Sequence, residues 1–468
     1  MNRKQIIFLG ILLVLLIVGV TVKEFQKPAE LTKEEYVPLA LSLRAESVEK
    51  IEIEKKVTGA EQSQKPVLFA LVAKAKEGQK IWRIPDLSNA RADKAKIERL
   101  IKDIHEAKGE LRGKGASLHK DFGLEEEKAL RVSFYDAVGA DLLTLFIGEK
   151  RFAAGEIFIR QKDSDSVYLV NTDLLSRIGI YGDSSKEKPT SEFWAALNLF
   201  NFDPSKVEQL EASRLIDGKL TVVADVIREI DPNDPAKRKW KYQRTGLPFA
   251  LDAEKVRKFL DELKTWNAMK ALAPEPGKNY GFDHTEAQMK IRLEGNKEIL
   301  IKGGDKDTAA GSYFMQVSTE PTLYKLGDYY FNSFQIDDSK FFISNPLGVD
   351  PEKTRNLMIH TDTKELNLKP MESKPADLAN YLNNLMSVAP ERLLFKSEEA
   401  GHVKSPGRLW VQVQREGGEP VILDVGETVP GGNKEYAAKR RDGTQPFTFS
   451  EVNYKRLFDN LQLLESKK

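Results

Sequence analysis

Short stretches in which apolar and charged residues alternate recur along the chain, and a period of two is typical of half-buried β-strands. Residues 48–54 and 207–212 show this pattern, and residues 356–360 repeat it in a third place. A second predicted strand, centred on a tryptophan, follows the first two stretches at Trp82 and Trp240. We therefore expect each of the first two segments to begin with at least two strands, and the third segment to lack the tryptophan strand.

A different period, with apolar residues three or four positions apart, predicts one amphipathic helix after each set of strands. The three apolar stripes consist of Ile97, Leu100, Ile101 and Ile104, of Val256, Phe259, Leu260 and Leu263, and of Leu378, Tyr381, Leu382 and Leu385. A short landmark with a central glycine follows the first two helices, at residues 122–124 and 280–282.

The part of the chain after each helix also recurs in the same order of short apolar and aromatic strands. The corresponding stretches are residues 145–150, 153–158 and 167–169, then 299–306, 309–314 and 323–326, and more weakly 421–428, 435–437 and 447–449. Strands follow one another directly, and helices do not alternate with them. This order predicts the α+β class, built as tandem repeats of an antiparallel sheet with one main helix per repeat and preceded by a single N-terminal transmembrane helix.

These patterns predict a chain of six successive parts. They are a transmembrane anchor at 1–22, a stalk at 23–47, α+β repeat 1 at 48–182, a connecting segment at 183–206, α+β repeat 2 at 207–345, and a shorter, divergent α+β repeat 3 at 346–468. Repeats of this length are separate tandem domains rather than the small units of a solenoid.

The predicted anchor rests on residues 6–22, which form an apolar run without a charged residue. As a helix, such a run is about 26 Å long, at the short end of what crosses a bilayer. Arg3 and Lys4 precede it, so the positive-inside rule places the N-terminus in the cytoplasm and the bulk of the chain outside, in the periplasm. The competing interpretation is a cleaved signal peptide, but the run does not end in an Ala-x-Ala site. We therefore predict an uncleaved anchor in the inner (cytoplasmic) membrane.

Composition excludes several classes of function. The chain of 468 residues has 72 Lys and Arg against 71 Asp and Glu, so it has no basic excess for binding nucleic acid. It contains no cysteine, which excludes disulfides, thiolate nucleophiles, iron–sulfur clusters and cysteine-ligated zinc.

A search for catalytic motifs finds none. The histidines, His105, His119, His284, His360 and His402, show neither H-x-x-x-H nor H-x-x-E-H spacing. The chain has no G-x-S-x-G elbow and no phosphate-binding loop of the Walker type, and its Ser-x-x-Lys matches are as frequent as chance predicts. We therefore predict no catalytic, cofactor-binding or metal-binding residues.

Three further features have a structural and a functional interpretation. A glycine followed by an acid recurs at one position of each repeat, as Gly148-Glu149, Gly304-Asp305 and Gly426-Glu427. These pairs are either three equivalent cation or sugar sites or, as we favour, strand ends where glycine allows a turn. Trp82 and Trp240 either stack on a sugar or, as we favour, pack against a helix. Lys439, Arg440 and Arg441 are expected at a solvated hairpin tip.

The landmarks as a set resemble a bacterial family, the domain-of-unknown-function 4340 family. They are the strand with Trp82, the D-x-x-K-like turn at residues 93–96, the pair Gly123-Leu124, and the glycine hairpin at residues 148–158. The resemblance covers nearly all of residues 48–345 and fades in the third repeat. Members of this family are often encoded beside gliding-motility-type ABC transporter components, so the resemblance implies an auxiliary, extracytoplasmic part of such a system.

The leading functional hypothesis is accordingly a non-enzymatic, membrane-anchored scaffold whose partners are ABC transporter permease and ATPase components. The alternative is an extracytoplasmic binding module for envelope glycan or another ligand, and an enzyme ranks third. Aromatic segments at residues 193–202 and 329–342 follow the ends of the first two repeats, and we expect them to pack between neighbouring domains.

Overall fold

The computed structural model describes residues 36–464, except 41, 57–66, 77–78, 151–154, 183–186, 232–233, 344, 346, 371–375, 431–433, 460 and 462–463. The predicted anchor at 1–22 and the first part of the predicted stalk lie outside the described residues. Among the residues that are described, no helix has both the length and the apolar composition needed to cross a membrane. The chain divides into two compact units, Met1–Ala196 and Leu197–Lys468.

The first unit is built on one antiparallel sheet of ten strands, which we call sheet 1. Its strands are β1 (Tyr36–Pro38), β2 (Lys50–Lys55), β3 (Val67–Lys76), β4 (Gln79–Ile84), β5 (Ala90–Arg91), β6 (Lys108–Lys114), β7 (Leu130–Tyr135), β8 (Asp141–Lys150), β9 (Ile157–Gln161) and β10 (Ser166–Val170). They lie side by side in the order β1-β6-β10-β9-β8-β7-β2-β3-β4-β5.

The second unit contains two antiparallel sheets, which we call sheet 2 and sheet 3. Sheet 2 consists of β11 (Val207–Ile216), β12 (Lys219–Asp231), β13 (Asp234–Tyr242), β14 (Lys270–Leu272), β15 (Ala287–Leu293), β16 (Lys297–Asp307), β17 (Ser312–Val317) and β18 (Leu323–Gly327). Sheet 3 consists of β19 (Thr354–His360), β20 (Glu365–Leu368), β21 (Leu409–Arg415), β22 (Val421–Val429), β23 (Glu435–Arg440) and β24 (Phe447–Ser450).

Sheets 1 and 2 share a strand order. Sheet 2 runs β13-β12-β11-β15-β16-β17-β18-β14, and the central strands of sheet 1 run β4-β3-β2-β7-β8-β9-β10-β6. Sheet 3 has the shorter order β20-β19-β21-β22-β23-β24. Among the described residues it has no counterpart of the tryptophan strands β4 and β13, and its own tryptophan, Trp410, lies in β21. The predicted α+β class with antiparallel sheets is therefore confirmed.

Seven α-helices accompany the sheets within the described part of the chain. They are α1 (Lys94–Glu106), α2 (Leu174–Arg177), α3 (Ala253–Leu263), α4 (Asp328–Phe334), α5 (Ala376–Met386), α6 (Ser397–Ala400) and α7 (Glu451–Phe458). The buried faces of α1 and α3 consist of the predicted apolar stripes. One long helix thus lies between the strands of each sheet, at the place in the sequence where the period of three to four predicted it.

The D-x-x-K-like turn at the start of α1 fastens a distant segment to the helix. Asp93 is the N-cap, and its carboxylate accepts hydrogen bonds from the backbone N–H groups of residues 95 and 96. Nζ of Lys96 donates to the carbonyl oxygen of Phe193 at 2.6 Å. Asp252 and Lys255 repeat this arrangement at the start of α3, where Nζ reaches a carbonyl beyond sheet 2, also at 2.6 Å. The motif therefore ties each helix to the chain that leaves its sheet.

The recurring glycines Gly148, Gly304 and Gly426 lie inside β8, β16 and β22, each at an irregularity in the pairing with the next strand. A Cβ atom at these positions would overlap a backbone carbonyl oxygen, that of Phe122, Tyr280 or His402 respectively. None of the three has a positive φ angle. The interpretation as turns at strand ends is therefore corrected, because glycine is required here by the close approach of a neighbouring backbone.

Candidate functional site

Two adjacent buried carboxylates lie where the parts of the second unit built on sheets 2 and 3 meet. Asp337 is the N-cap and Asp338 the first residue of a short 3₁₀ turn, Asp338–Phe341, that follows α4, and the two residues are 4% and 0% exposed. The Asp337 carboxylate accepts hydrogen bonds from the backbone N–H of Ser339 at 2.9 Å and from that of Leu393 at 3.2 Å. The Asp338 carboxylate accepts one from the backbone N–H of Asp225 at 3.1 Å. Asp337 thus binds a segment that precedes α6, while Asp338 binds β12.

Arg244 compensates the charge of Asp338 and connects it to sheet 3. Its Nη1 donates to the Asp338 carboxylate at 2.6 Å and to the carbonyl oxygen of Val223 at 2.8 Å. Its Nη2 donates to the side-chain oxygen of Gln445, just before β24, at 2.9 Å. We call the buried ion pair Arg244–Asp338 the junction pair. Both of its residues form hydrogen bonds with β12 of sheet 2, and Arg244 also binds Gln445 beside sheet 3.

Apolar packing joins the same two regions. Phe249 precedes α3, and Phe342 is the C-cap of the 3₁₀ turn. Both belong to the core of sheet 3, together with residues of β19, β21 and β22. The Phe249 ring lies 5.0 Å from the ring of Phe342 and 4.9 Å from that of Phe447, measured between centroids. Aromatic pairs in such edge-on contact add stabilisation beyond the area that they bury. The aromatic segment 329–342 thus contributes to packing between the two sheets.

The buried carboxyl of Asp338 makes stability depend on pH. Burial raises its pKa to about 7, against about 3.9 for aspartate in an unfolded chain. Between these values the folded chain keeps a proton that the unfolded chain has lost, so this contribution to stability is full below about pH 4 and decreases as the pH rises to 7. From pH 5 to pH 7 the loss is about 2 kcal/mol.

We expect Asp338→Asn to remove this part of the pH dependence, because an amide does not titrate. The free energy of unfolding, measured at pH 5 and pH 7, should then fall less in the variant than in the native chain. Asp261→Asn is the control, since Asp261 is exposed on α3. An unchanged pH slope in Asp338→Asn would show that another group is responsible.

A cavity of about 330 Å³ opens beside the buried carboxylates. It is lined by Arg214, Leu215, Ile216, Glu286, Gln335, Arg392, Leu393, Phe395, Lys396 and Glu399. The end of β11 provides one part of the wall, and residues of the segment 392–399 provide a second part. We call this cavity the arginine pocket.

Hydrogen bonds to β24 fix the second wall of the arginine pocket. The backbone N–H of Thr448 donates to the carbonyl oxygen of Arg392 at 2.8 Å, and that of Leu394 donates to the carbonyl oxygen of Pro446 at 2.9 Å. The backbone N–H of Leu393 donates to Asp337, as described above. The wall is therefore held both by sheet 3 and by the turn that follows sheet 2.

Two guanidinium groups line the arginine pocket, and they differ in how many hydrogen bonds they donate to carboxylates. The Arg392 guanidinium donates to both oxygens of Glu399, at 3.1 and 3.3 Å, and to Glu435 at 3.0 Å. The Arg214 side chain is 23% exposed, and its Nη2 donates to Asp337 at 3.3 Å. The Arg214 Nε–H is buried without an acceptor among the described residues, and its guanidinium lies 5.7 Å from the centre of the Phe395 ring. Arg392 is thus well matched by carboxylates, whereas Arg214 uses few of its five donors.

The histidines are placed separately from this pocket. His284 is exposed and lies 2.8 Å from a carboxylate oxygen of Asp283 and 3.1 Å from one of Asp305, whose hydrogen bonds raise the pKa of His284. His360 lies 3.2 Å from Glu365 and stacks on the ring of Trp410.

The backbone carbonyl of His402 lies close to Gly426. His105 and His119 lie in the first unit. Among the described residues, no group of three or more His, Asp or Glu side chains is arranged to hold a metal ion.

The other predicted candidates lie in strands of the three sheets or directly beside them. Trp82 is 2% exposed, and Trp240 is partly buried in β13. The Arg441 guanidinium donates to both oxygens of the buried Asp424, at 2.8 to 3.1 Å, and Arg440 donates to the carbonyl oxygen of Pro248. The prediction of a solvated hairpin tip at residues 439–441 is therefore corrected, because two of its three cations bind other parts of the fold.

Sequence patterns did not single out the residues of the arginine pocket or the junction pair. Arg214 and Arg392 lie far apart in the sequence, and neither belongs to a motif. A signal was nevertheless present, because Asp337 and Asp338 stand together in an aromatic segment, where two adjacent carboxylates are unusual unless cations compensate them.

Comparison with known proteins gives one family. The family described as "Domain of unknown function (DUF4340)" matches residues 82–246 and again residues 240–394. The two successive matches show a repeat-like arrangement of two domains, and together they cover more than half of the chain. No curated protein and no solved structure matches the chain.

Proposed function

The chain belongs to the family of the domain of unknown function DUF4340, and from this premise we propose that it is a non-enzymatic, membrane-anchored scaffold outside the cytoplasm. In this proposal the apolar run at residues 6–22 is the transmembrane helix, with its N-terminus in the cytoplasm. The domains that follow hold partner proteins in place. The partners that we propose are the permease and ATPase components of a gliding-motility-like ABC transporter, in agreement with the family resemblance.

We further propose that the outer part of the chain consists of three copies of one unit. The strand order that sheets 1 and 2 share supports this proposal. The close approach of a backbone carbonyl from a separate segment to Gly148, Gly304 and Gly426 supports it in all three sheets. Sheet 3 has fewer strands, which is common in the terminal unit of a repeated array. Repeated units give one chain several binding surfaces of similar shape.

The observation that carries the scaffold proposal is the junction between sheets 2 and 3. The junction pair and the shared aromatic core join two sheets into one compact unit. A protein that positions partners benefits from such a rigid connection, since an ordered surface loses less conformational entropy on binding.

The proposal is tested by purifying the full chain from its native membrane in mild detergent. We expect permease and ATPase subunits to co-purify with it, and the mature protein to retain residues 6–22 in mass spectrometry. A matched variant in which residues 6–22 are replaced by an unrelated single-pass helix distinguishes partner binding through that helix from binding through the outer domains.

Two results would contradict the proposal. Recovery of the chain alone, under conditions that keep other membrane complexes intact, would exclude a stable scaffold. Loss of transport with an intact complex after changing His284, His360, Glu149 and Asp305 to alanine would instead support an enzymatic role.

A second candidate function, ligand binding, is favoured by one specific observation. The arginine pocket is concave, it combines cations with apolar side chains, and it lies between fixed walls. Its volume is at the lower end of the range for small-molecule sites, and six of its ten lining residues are charged or polar.

A further inference from the structure

The arginine pocket brings three cations from separate parts of the second unit to one cavity. Arg214 comes from β11, whereas Arg392 and Lys396 come from the segment before and at the start of α6. Two carboxylates, Glu286 and Glu399, also line the cavity, and two more, Asp337 and Glu435, pair with Arg214 and Arg392.

The carboxylates leave N–H donors of two of these cations, Arg214 and Lys396, unused. Glu399 directs both of its oxygens to Arg392, and Glu286 is exposed. No hydrogen bond or ion pair holds the exposed side chain of Lys396 within the described part of the chain. Arg214 donates one hydrogen bond, to a carboxylate that three other donors already satisfy. A ligand that enters the pocket would therefore meet an under-used guanidinium and a free ammonium group.

Apolar side chains accompany these cations. Phe395 lies against the Arg214 guanidinium, and its ring is also 5.1 Å from the guanidinium of Arg244. Leu215 and Leu393 are further lining residues. An anion bound here would thus lie beside an aromatic ring and aliphatic carbons, which favours a ligand with an apolar body over a fully hydrated inorganic ion. The arginine fork suits the planar geometry of a carboxylate.

We propose that the arginine pocket binds a small organic anion, with a carboxylate held by Arg214 and Lys396 and an apolar part packed on Phe395. This function is additional to scaffolding and does not depend on it. The walls of the pocket come from both sides of the junction, so a bound ligand would also stabilise the connection between sheets 2 and 3.

Phenylacetate is a suitable probe, because it combines one carboxylate with one aromatic ring, and phenylacetamide is its neutral counterpart. We expect titration calorimetry on the full chain in mild detergent to detect phenylacetate binding, and phenylacetamide to bind at least tenfold more weakly, since charge-assisted hydrogen bonds are lost. Absence of phenylacetate binding at millimolar concentration, or equal binding of the amide, would overturn the proposal.

Two variants locate the site, and a third is the control. Lys396→Gln should weaken phenylacetate binding about tenfold without affecting folding, because Lys396 is exposed and unpaired among the described residues. Arg214→Gln should weaken phenylacetate binding further. If this variant does not fold, because Asp337 has lost its partner, Lys396→Gln still tests the site.

Arg257→Gln removes an exposed cation of α3 that lies outside the pocket, and it should leave the dissociation constant unchanged. An equal loss of affinity in Arg257→Gln and Lys396→Gln would show that phenylacetate binds only through the general charge of the surface, and the proposal would fail.

Discussion

Replacing Gly304 by alanine should lower the free energy of unfolding of the Leu197–Lys468 unit by about 3 kcal/mol, a large fraction of the stability of an ordinary domain. The new methyl group would overlap the carbonyl oxygen of Tyr280 and press on the ring of Phe282. That carbonyl also accepts the hydrogen bond from the backbone N–H of Asp305, at 2.8 Å. Backbone atoms held in this way cannot rotate aside as a flexible side chain would, so the strand or the landmark must shift.

The effect is measured as the shift in melting temperature of the full chain in mild detergent, followed by intrinsic fluorescence. Gly418→Ala is the matched control, because a Cβ atom at Gly418 meets nothing within 4 Å and the residue has no positive φ angle. It should change the free energy of unfolding by less than about 0.5 kcal/mol. Equal melting temperatures for the two variants would show that the close approach at Gly304 is not a constraint on the fold.

Replacing Arg244 by methionine should destabilise the same unit by about 3 kcal/mol at pH 8, where the Asp338 carboxyl is charged in the native chain. The Asp338 side chain is 0% exposed and has no access to water. Without Arg244 the buried carboxyl must either keep an uncompensated charge or take up a proton at pH 8, and both cost free energy. The hydrogen bonds to Val223 and Gln445 are also lost. Breaking one partner of a buried ion pair usually costs more than the pair itself contributes.

Two comparisons isolate the cause of this effect. Arg257→Met removes an equally short ion pair, with Glu254 at 2.6 Å, but both of its side chains are more than half exposed, so stability should change far less than in Arg244→Met. The double variant Arg244→Met, Asp338→Leu should recover part of the lost stability, because no buried charge remains. If the double variant is no more stable than Arg244→Met, the uncompensated carboxylate is not the source of the loss.

Local patterns predicted the elements that depend on neighbours in the sequence. The apolar stripe of α1 is buried as its spacing required, and Asp93 caps that helix. The alternating residues 48–54 form most of β2. Such features follow from residues three or four positions apart, or from alternate residues along one strand, so the sequence contains nearly all of the information they need.

The candidate site depends instead on residues that are distant in the sequence. The junction pair joins Arg244 to Asp338, and Arg214 meets Asp337 across a similar separation. Sequence patterns also placed Gly304 correctly as a special position but for the wrong reason, because the Tyr280 carbonyl that excludes a side chain comes from a separate loop. Contacts of this kind are determined by the tertiary fold.

The strand order of sheet 2 has a consequence for how this part of the chain folds. Strands β11 to β13 pair with neighbours in sequence, as do β15 to β18. The ladder between β11 and β15 joins these two groups, and it pairs Val207 with Leu293 across the whole segment that contains α3. Closing so long a loop is entropically costly before its contacts form. We therefore expect the two groups of hairpins to form early, and the pairing of β11 with β15 to be the slow, rate-determining step of folding.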